Sequence, residues 1–273
     1  MVNYDIHTHS SYSTDSDTPL SSQIRAAKKK GLSGICITDH MDYDFPPDIA
    51  CKDEKNPFTF DEKAYKKELE QCRESMPDIW IGTGVECGIQ TTPSVISKLN
   101  ALTDAGEWDY IIGSVHLLDG KDPYFPEFWE DKASSACVRH YFETMLQCLH
   151  LFSNFDSLGH MDYIVRYAPK DFVYEPRDYF DITDEIMKLI IKKDIALEVN
   201  ASGLFSDVNR ENPHQALLSR YTELGGEYIT IGSDAHKPER IAGGFSTLEQ
   251  HIKAAGLRQY VTFHKRSPVF HDL

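Results

Sequence analysis

The sequence predicts an α/β fold in which parallel strands close into a barrel and helices pack outside it. Seven short apolar runs, several with β-branched residues at successive positions, are typical of strands that are buried on both faces. Helical stretches separate these runs along the 273 residues, and this alternation indicates parallel strands joined by right-handed crossovers. The alternative is an open doubly wound sheet, but such a sheet usually has a glycine-rich phosphate loop after its first strand, and none follows here.

The predicted strands and helices alternate without a linker. The strands cover residues 4–7, 34–40, 79–86, 110–116, 155–160, 196–200 and 228–236. The first helix opens at Thr18-Pro19 and closes at Gly31, and the later helices cover residues 61–75, 94–102, 133–152, 178–193, 214–224 and 246–255. The chain length suits one closed barrel better than two domains. We therefore expect a single domain over residues 1–273.

Charge and cysteine content exclude several classes of protein. The formal net charge is −15, whereas a non-specific nucleic-acid binder would present a basic face. The six cysteines are scattered without a Cys-x-x-Cys pair, which argues against a disulfide framework and against a thiolate zinc site. No apolar run approaches the roughly 20 residues of a membrane span, and no signal-like stretch precedes the first strand. We expect a cytoplasmic protein that binds neither nucleic acid nor membranes.

Two long insertions follow the ends of predicted strands. They cover residues 41–60 and 117–131, and both contain proline and aromatic residues. In a β/α barrel, the loops after the carboxyl ends of the strands form the mouth of the active site. The aromatic side chains of these insertions therefore either wall a substrate pocket or simply pack within their loops.

Imidazole and carboxylate side chains recur where the predicted strands end. If the strands are parallel, their carboxyl ends share one rim of the barrel. Eight side chains of metal-binding type then meet at that rim: His7, His9, His40, Glu86, His116, His160, Asp234 and His236. Six of the twelve histidines are among them, which is too many nitrogen ligands for one tetrahedral zinc ion. We predict two or three metal ions, bridged by a carboxylate and by water or hydroxide.

The ligand types indicate the chemistry of the site. Imidazoles and carboxylates without a thiolate suit Zn, Mn or Fe(II). A multinuclear site lowers the pKa of bound water toward neutrality and generates a nucleophilic hydroxide. The sequence therefore predicts a metal-dependent hydrolase. A non-catalytic metal-binding or regulatory domain is the alternative from another class, and a missing ligand would have favoured it.

Four short motifs resemble those of the polymerase-and-histidinol-phosphatase (PHP) family. They are His7-Thr8-His9, Thr38-Asp39-His40, Gly113-Ser114-Val115-His116 and Gly232-Ser233-Asp234-Ala235-His236. The resemblance covers nearly the whole chain. It implies a distorted (β/α)7 barrel, similar to a TIM barrel, around a trinuclear metal site, and the seven predicted strands agree with that expectation.

Four longer segments are similar to the stand-alone histidinol-phosphatases of that family. They are residues 112–120, 159–163, 198–204 and 233–239. The resemblance implies a phosphoric monoester hydrolase that converts L-histidinol phosphate to L-histidinol and phosphate in histidine biosynthesis, through a metal-bridging hydroxide. The alternative is a PHP phosphoesterase that acts on another small phosphate ester or on a nucleotide diester. The acidic charge and the lack of an attached nucleic-acid module argue against the diester.

The resemblance also implies how the ligands divide among three divalent ions. One ion is expected to bind His7, His9, Glu86 and Asp234, a second Glu86, His116 and His160, and a third Asp15, His40 and His236. Glu86 bridges two ions in this arrangement. Asp17 lies close to Asp15 in the sequence and is the alternative ligand of the third ion.

Phosphate ester hydrolysis needs a cation for the phosphate oxygens and a proton for the leaving alkoxide. Asp234 or His236 is expected to deliver the proton, and the sequence does not separate that role from metal binding. The planar fork of an arginine matches phosphate oxygens. Arg166, on the loop after the fifth strand, is the first candidate, and Arg210 is the second.

Other polar residues near the strand ends are expected to support the site. Asn200 and Ser202, at the end of the sixth strand, are predicted to position the substrate or a histidine ligand. Asp39 and Asp42 either orient His40 or form turn hydrogen bonds. Glu198 either pairs with a neighbour or supports the site.

Overall fold

The sheet forms a nearly closed barrel of seven parallel strands, which confirms the predicted distorted (β/α)7 fold. The computed structural model describes residues 1–46, 58–130 and 132–273. The barrel strands in these residues are β1 (Tyr4–Asp5), β2 (Gly34–Ile37), β3 (His40–Met41), β4 (Trp80–Gly88), β5 (Tyr110–Ser114), β6 (Ser157–Leu158), β7 (Ala196–Asn200) and β8 (Ile229–Gly232). The short β3 continues the line of β2, because both pair in parallel with β4, and together they fill one position of the barrel.

Strands β1 and β8 close the barrel through residues just beyond their ends. The Ile6 amide donates to the Ile231 carbonyl at 3.4 Å, and the Asp234 amide donates to the His7 carbonyl at 2.8 Å. Thr8 forms a parallel bridge with the residue after Asp234. The closure brings the segment after β1 beside the segment after β8, so the first and last ligand motifs become neighbours.

Helices surround the barrel close to their predicted positions. In the described ranges they are α1 (Leu20–Lys29), α2 (Glu62–Ser75), α3 (Pro93–Ala105), α4 (Ser134–Leu151), α5 (Phe180–Lys192), α6 (Gln215–Glu223) and α7 (Phe245–Ala254). Leu99, Phe142 and Ile186 on three of them are fully buried in the main core, and each such burial contributes about 2 kcal/mol. Among the helices described, none has the length and apolar character that crossing a membrane requires.

A C-terminal hairpin covers the amino-terminal end of the barrel, and the sequence patterns did not predict it. Its strands β9 (Gln259–His264) and β10 (Ser267–Asp272) pair in antiparallel. Val261 and Phe263 of β9 pack with Tyr110 in a second buried cluster, separate from the main core. The hairpin thus seals the end of the barrel that lies away from the predicted ligands.

The two predicted insertions are described to different extents. Residues 47–57, which make up most of the first one and include Cys51, lie outside the described residues. In the second one, Pro126–Phe128 forms a short 3-10 helix. Both insertions follow strands at the ligand-bearing end of the barrel.

Candidate metal centre

All nine predicted metal ligands lie together at the carboxyl end of the barrel. The side chain of Asp15 is 42% exposed and that of His236 is 29% exposed, whereas the other seven are 11% exposed or less. The group is therefore deeply buried on most sides and open to solvent near Asp15 and His236. A substrate can reach the ligands from that open side.

Glu86 stands at the centre of the group, and its two carboxylate oxygens face different histidines. Oε1 lies 3.3 Å from His116 Nε2 and 3.0 Å from His160 Nε2. The same oxygen accepts a hydrogen bond from Ser114 Oγ at 2.7 Å. This half of the carboxylate matches the second predicted ligand set.

The other oxygen of Glu86 faces three imidazoles from other strands. Oε2 lies 3.3 Å from His7 Nε2, 3.5 Å from His9 Nε2 and 3.0 Å from His40 Nδ1. It is buried and has no hydrogen-bond partner among the described residues. An unsatisfied buried carboxylate oxygen is costly, and a divalent cation placed among these nitrogens would satisfy it. The two oxygens of Glu86 thus face separate sets of imidazoles, and such a carboxylate could serve two ions.

The charges within the group favour a bound cation. Burial alone would raise the pKa of Glu86, but the imidazoles of His7, His116 and His40 hold it well below its usual value. Burial likewise lowers the pKa of His7, but Glu198 and Glu86 outweigh burial and hold that pKa well above its usual value. These carboxylates require nearby positive charge, and divalent ions would supply it with the histidines as neutral ligands.

His9 lies between two other imidazoles. Its ring stacks on those of His40 and His236, with centroids 4.4 Å and 4.2 Å away. Burial, followed by the charges of His236 and His40, lowers the pKa of His9 to about 3. A neutral imidazole has a nitrogen lone pair for a metal, and His9 Nε2 lies 3.1 Å from His7 Nε2. The two nitrogens of the His-x-His motif therefore converge, as the spacing of residues i and i+2 on one strand face predicts.

Asp234 completes the set next to the His-x-His motif. Its Oδ1 lies 3.2 Å from His9 Nε2 and 3.8 Å from His7 Nε2. Its backbone is in the left-handed region, with φ of 55°, which is uncommon for a residue other than glycine. Such conformations cluster at functional sites.

The exposed edge of the group distinguishes Asp15 from Asp17. Asp15 Oδ2 lies 3.0 Å from His236 Nε2 and 3.5 Å from His40 Nε2. Asp17 makes no comparable contact within the described part of the chain. The geometry therefore favours Asp15 as the third carboxylate, although its role as a ligand remains a prediction.

Glu198 holds two ligands from beneath. Its Oε1 lies 2.5 Å from His7 Nδ1, and its Oε2 accepts a hydrogen bond from the backbone amide of His160 at 2.8 Å. His7 therefore donates through Nδ1 and presents Nε2 to the centre. The sequence left the partner of Glu198 open. The structure identifies that partner as His7, one of the candidate metal ligands.

Asp42 and Asp39 do not orient His40, contrary to one of the two expectations for them. Asp42 Oδ2 lies 2.7 Å from His116 Nδ1, so it supports a histidine from a different strand. Asp39 accepts hydrogen bonds from neighbouring serines, including Ser13 Oγ at 2.6 Å. The physical reason is that Asp39 and His40 are adjacent on an extended chain, where neighbouring side chains point in opposite directions.

The ligand atoms form several overlapping groups in which all atoms lie within 4.8 Å of one another. These groups are His7 with His9 and Asp234, Glu86 with His116 and His160, His9 with His40 and His236, and His40 with Asp42 and His116. The second group has the same members as one predicted ligand set. The first lacks Glu86, and the third contains His9 where the prediction has Asp15, so the division of the ligands among three ions stays a prediction. The donors fit several divalent ions, because imidazole and carboxylate together suit Zn, Mn and Fe(II).

A cavity of about 370 Å³ opens onto this centre. Several ligands line it, and so does Arg166. Aromatic side chains from both insertions line it as well, Phe45 and Phe58 from the first, Tyr124 and Phe125 from the second. The insertions therefore wall the pocket, which was one of the two expectations for them.

Arg166 reaches the centre through Ser202. Its Nη2 donates to Ser202 Oγ, and that oxygen lies 2.9 Å from Asp234 Oδ2 and 2.6 Å from Asn200 Oδ1. The guanidinium also lies 5.3 Å from the centre of the Tyr163 ring. The structure thus brings Arg166, Ser202 and Asn200 together beside one of the predicted ligands.

Arg210 lies apart from these residues. Its Nη1 is 3.1 Å from Asp162 Oδ2, and its guanidinium lies 5.3 Å from the ring centre of Tyr174. It lines a neighbouring cavity that it shares with Arg166, and it does not line the cavity over the ligands. A phosphate-binding role for Arg210 stays a prediction.

Gln23 is a site residue that the sequence analysis did not find. It lies on the buried face of α1, between Leu20 and Ile24. Its Nε2 donates to the carbonyls of His9 and Ala235, at 2.6 Å and 2.8 Å, and so ties the segment after β1 to the segment after β8. A polar residue at an apolar position of a helix was the available signal.

A parallel barrel with a cluster of imidazoles and carboxylates at its carboxyl end, opening into a walled cavity, is the architecture of a metal-dependent hydrolase. The family model of the PHP domain matches residues 5–202, and the chain belongs to the PHP family.

The relatives of this chain include named histidinol-phosphatases. A probable histidinol-phosphatase of Clostridium acetobutylicum is 35% identical, over 96% of this chain and 97% of its own length. A histidinol-phosphatase of Lactococcus lactis is 31% identical, over 96% of this chain and 95% of its own length. The crystal structure of histidinol phosphate phosphatase from Lactococcus lactis, complexed with zinc, L-histidinol and phosphate, is similar with a TM-score of 0.88. It is 28% identical and the match covers 98% of this chain and 99% of that one.

Proposed function

We propose that this chain is a metal-dependent histidinol-phosphatase, which hydrolyses L-histidinol phosphate to L-histidinol and phosphate in histidine biosynthesis. The observation that carries the proposal is the convergence of all nine predicted ligands on one cavity, with Glu86 Oε2 buried and unpaired among three imidazoles. The similarity to named histidinol-phosphatases extends over 96% of the chain, so it includes the loops that wall the cavity.

The predicted ligand sets would hold three divalent ions, with Glu86 shared between two of them. Ions held there would supply positive charge to the phosphate oxygens and would lower the pKa of bound water toward neutrality. Glu198 and Asp42 fix the rings of His7 and His116, so the ligand nitrogens keep their direction during turnover.

Arg166 binds the phosphate oxygens in this proposal. Within the described residues it forms no ion pair, and its buried Nε has no hydrogen-bond partner. A buried guanidinium without a carboxylate requires an anion, and a phosphate monoester provides one with matching geometry. Ser202 and Asn200 hold the guanidinium and Asp234 in their relative positions.

The leaving alkoxide takes its proton from Asp234 or His236. Both side chains line the cavity, and His236 Nδ1 lies 3.7 Å from Asp234 Oδ1. A protonated His236 Nε2 donates to Asp15 Oδ2 at 3.0 Å, so a proton on that ring can exchange with solvent through the exposed carboxylate.

The proposal extends to the organisation and location of the chain. We infer a single domain over residues 1–273, because the C-terminal hairpin packs its apolar side chains into the end of the barrel. A cytoplasmic location is supported by the described cysteines, which are all buried and free. A small phosphate ester is the expected partner, since the chain carries a formal charge of −15 and is unsuited to nucleic acid.

A substrate comparison tests the proposed function. The enzyme purified with Zn or Mn should show a higher kcat/KM for L-histidinol phosphate than for other phosphomonoesters and for a nucleotide diester. Treatment with a chelator should abolish the activity, and adding the metal back should restore it. A preference for the diester, or full activity after chelation, would overturn the proposal.

A further inference from the structure

Asp122 is a carboxylate in the cavity that no step of the proposed hydrolysis uses. It lies in the loop between β5 and α4 and lines the same cavity as the ligand candidates. Its Oδ1 accepts a hydrogen bond from the backbone amide of Tyr124 at 2.8 Å. Its Oδ2 has neither a hydrogen bond nor an ion pair within the described residues. The carboxylate is thus held in place by one oxygen and offers the other to the cavity.

A row of aromatic rings joins the metal centre to the loop that carries Asp122. The Tyr163 ring lies 4.7 Å from that of His160, and the Tyr167 ring lies 5.1 Å from that of Tyr163. The Tyr124 ring follows at 5.4 Å from Tyr167. Asp122 accepts the backbone amide hydrogen bond of that last tyrosine, so the loop that carries it adjoins the row.

The cavity therefore has two chemically different parts. Arg166 and the ligand candidates form the part that accepts the phosphate. Asp122, with Tyr124 and Tyr167, forms a part that combines an unpaired negative charge with aromatic faces. Aromatic faces and a carboxylate both attract cations, and such a surface repels a phosphate dianion.

Partial burial strengthens this preference for a cation. Burial raises the pKa of Asp122 and outweighs the opposing effects of the Tyr124 amide and of the His116 and His40 imidazoles. A carboxylate without a counter-ion in a confined cavity gains more from a cationic partner than an exposed one does.

We propose that Asp122 determines substrate specificity by accepting a hydrogen bond from a positively charged nitrogen of the substrate. This inference rests on the proposed function, since L-histidinol phosphate has such nitrogens in its ammonium group and in its imidazole when protonated. Asp122 also fixes the orientation of the substrate, because it repels the phosphate toward Arg166. It does not touch the reacting atoms, so it is a specificity residue and not a catalytic one.

The test is Asp122→Asn, which removes the charge and keeps an oxygen for the Tyr124 amide. The kcat/KM for L-histidinol phosphate should fall about tenfold or more, mainly through KM, as loss of a charged hydrogen bond predicts. The kcat/KM for phenyl phosphate, which has no cationic nitrogen, should stay within about twofold of wild type or rise. Asp119→Asn is the matched control, because Asp119 lies in the same loop but is 72% exposed and pairs with His140 outside the cavity.

Matched substrates identify the substrate nitrogen that donates to Asp122. Phosphoethanolamine keeps an ammonium without the ring, and 3-(imidazol-4-yl)propyl phosphate keeps the ring without the ammonium, while ethyl phosphate has neither. In Asp122→Asn, the advantage of one or both cationic esters over ethyl phosphate should collapse. Equal losses on all esters, or none on any of them, would overturn the inference. The failure of the proposed function is a separate result, in which the wild-type enzyme shows no preference for L-histidinol phosphate.

Discussion

Glu198→Gln is the substitution that probes most sharply how the metal ligands are held. Glu198 is fully buried, and both of its oxygens accept from N–H groups. Oε1 faces His7 Nδ1 at 2.5 Å, and Oε2 faces the His160 amide at 2.8 Å. Glutamine has nearly the same shape, so the change removes a charge and one acceptor without leaving a cavity.

The size of the effect follows from counting donors. The glutamine amide has one oxygen, which can serve either His7 or the His160 backbone, and its NH2 group then faces the other donor. Either His7 Nδ1 loses its acceptor, or the His160 amide and Asn200 Nδ2, which donates to Oε2 at 3.2 Å, both lose theirs, at a cost of about 1–3 kcal/mol for each donor. If His7 Nδ1 loses its acceptor, the His7 ring is free to change tautomer and orientation, and the affinity for metal should fall about 10- to 100-fold.

The assay is metal content by elemental analysis after dialysis against graded concentrations of a chelator, together with kcat/KM on L-histidinol phosphate. Asp42→Asn is the matched control at the other supported ligand. Asp42 Oδ2 faces His116 Nδ1 at 2.7 Å, whereas its buried Oδ1 has no partner among the described residues. Asparagine can keep its oxygen toward His116, so its effect should be at most a few-fold. Wild-type metal affinity in Glu198→Gln, or a larger loss in Asp42→Asn, would refute the reasoning.

Three further predictions concern the phosphate, the third ion and the barrel. Arg166→Ala should lower kcat/KM for L-histidinol phosphate by about 100-fold with metal content unchanged, whereas wild-type kinetics would remove Arg166 from the mechanism. Asp15→Asn should reduce metal stoichiometry by about one ion per chain and Asp17→Asn should not, and the reverse result would reassign the ligand. The Phe263 side chain is 4% exposed at the amino-terminal end of the barrel, so Phe263→Ala should lower the free energy of unfolding by about 3 kcal/mol. Thermal or denaturant unfolding measures this loss, and the folded variant should keep its metals. Unchanged stability would contradict the sealing role of the hairpin.

The sequence predicted the barrel and the convergence of imidazoles and carboxylates at its carboxyl end, because one simple rule connects them. Parallel strands place their carboxyl ends on one rim, so a ligand type that recurs after apolar runs marks a shared site. His7, Glu86 and Asp234 are far apart in the chain and still follow this rule. The rule needs no knowledge of side-chain partners, and so it works from sequence alone.

Partners and support residues did not follow from the sequence, because they depend on which strands become neighbours. Asp42 supports His116 of the β5 end, and nothing in the local sequence relates those two residues. The sequence did not predict the C-terminal hairpin, because its turn lacks the residues that usually mark one. Its turn residues Lys265 and Arg266 adopt φ of 48° and 64°, and neither is the glycine or asparagine that usually marks such a turn.

The central claim is that one cluster built around Glu86 holds several catalytic metal ions. The most direct measurement is the metal stoichiometry of the purified wild-type chain and of Glu86→Ala, alongside hydrolysis of L-histidinol phosphate and a circular dichroism spectrum. The wild-type chain should hold about three divalent ions, and Glu86→Ala should lose metal and hydrolysis together while its spectrum shows a folded barrel. Hydrolysis at the wild-type rate by a folded Glu86→Ala protein would contradict the account.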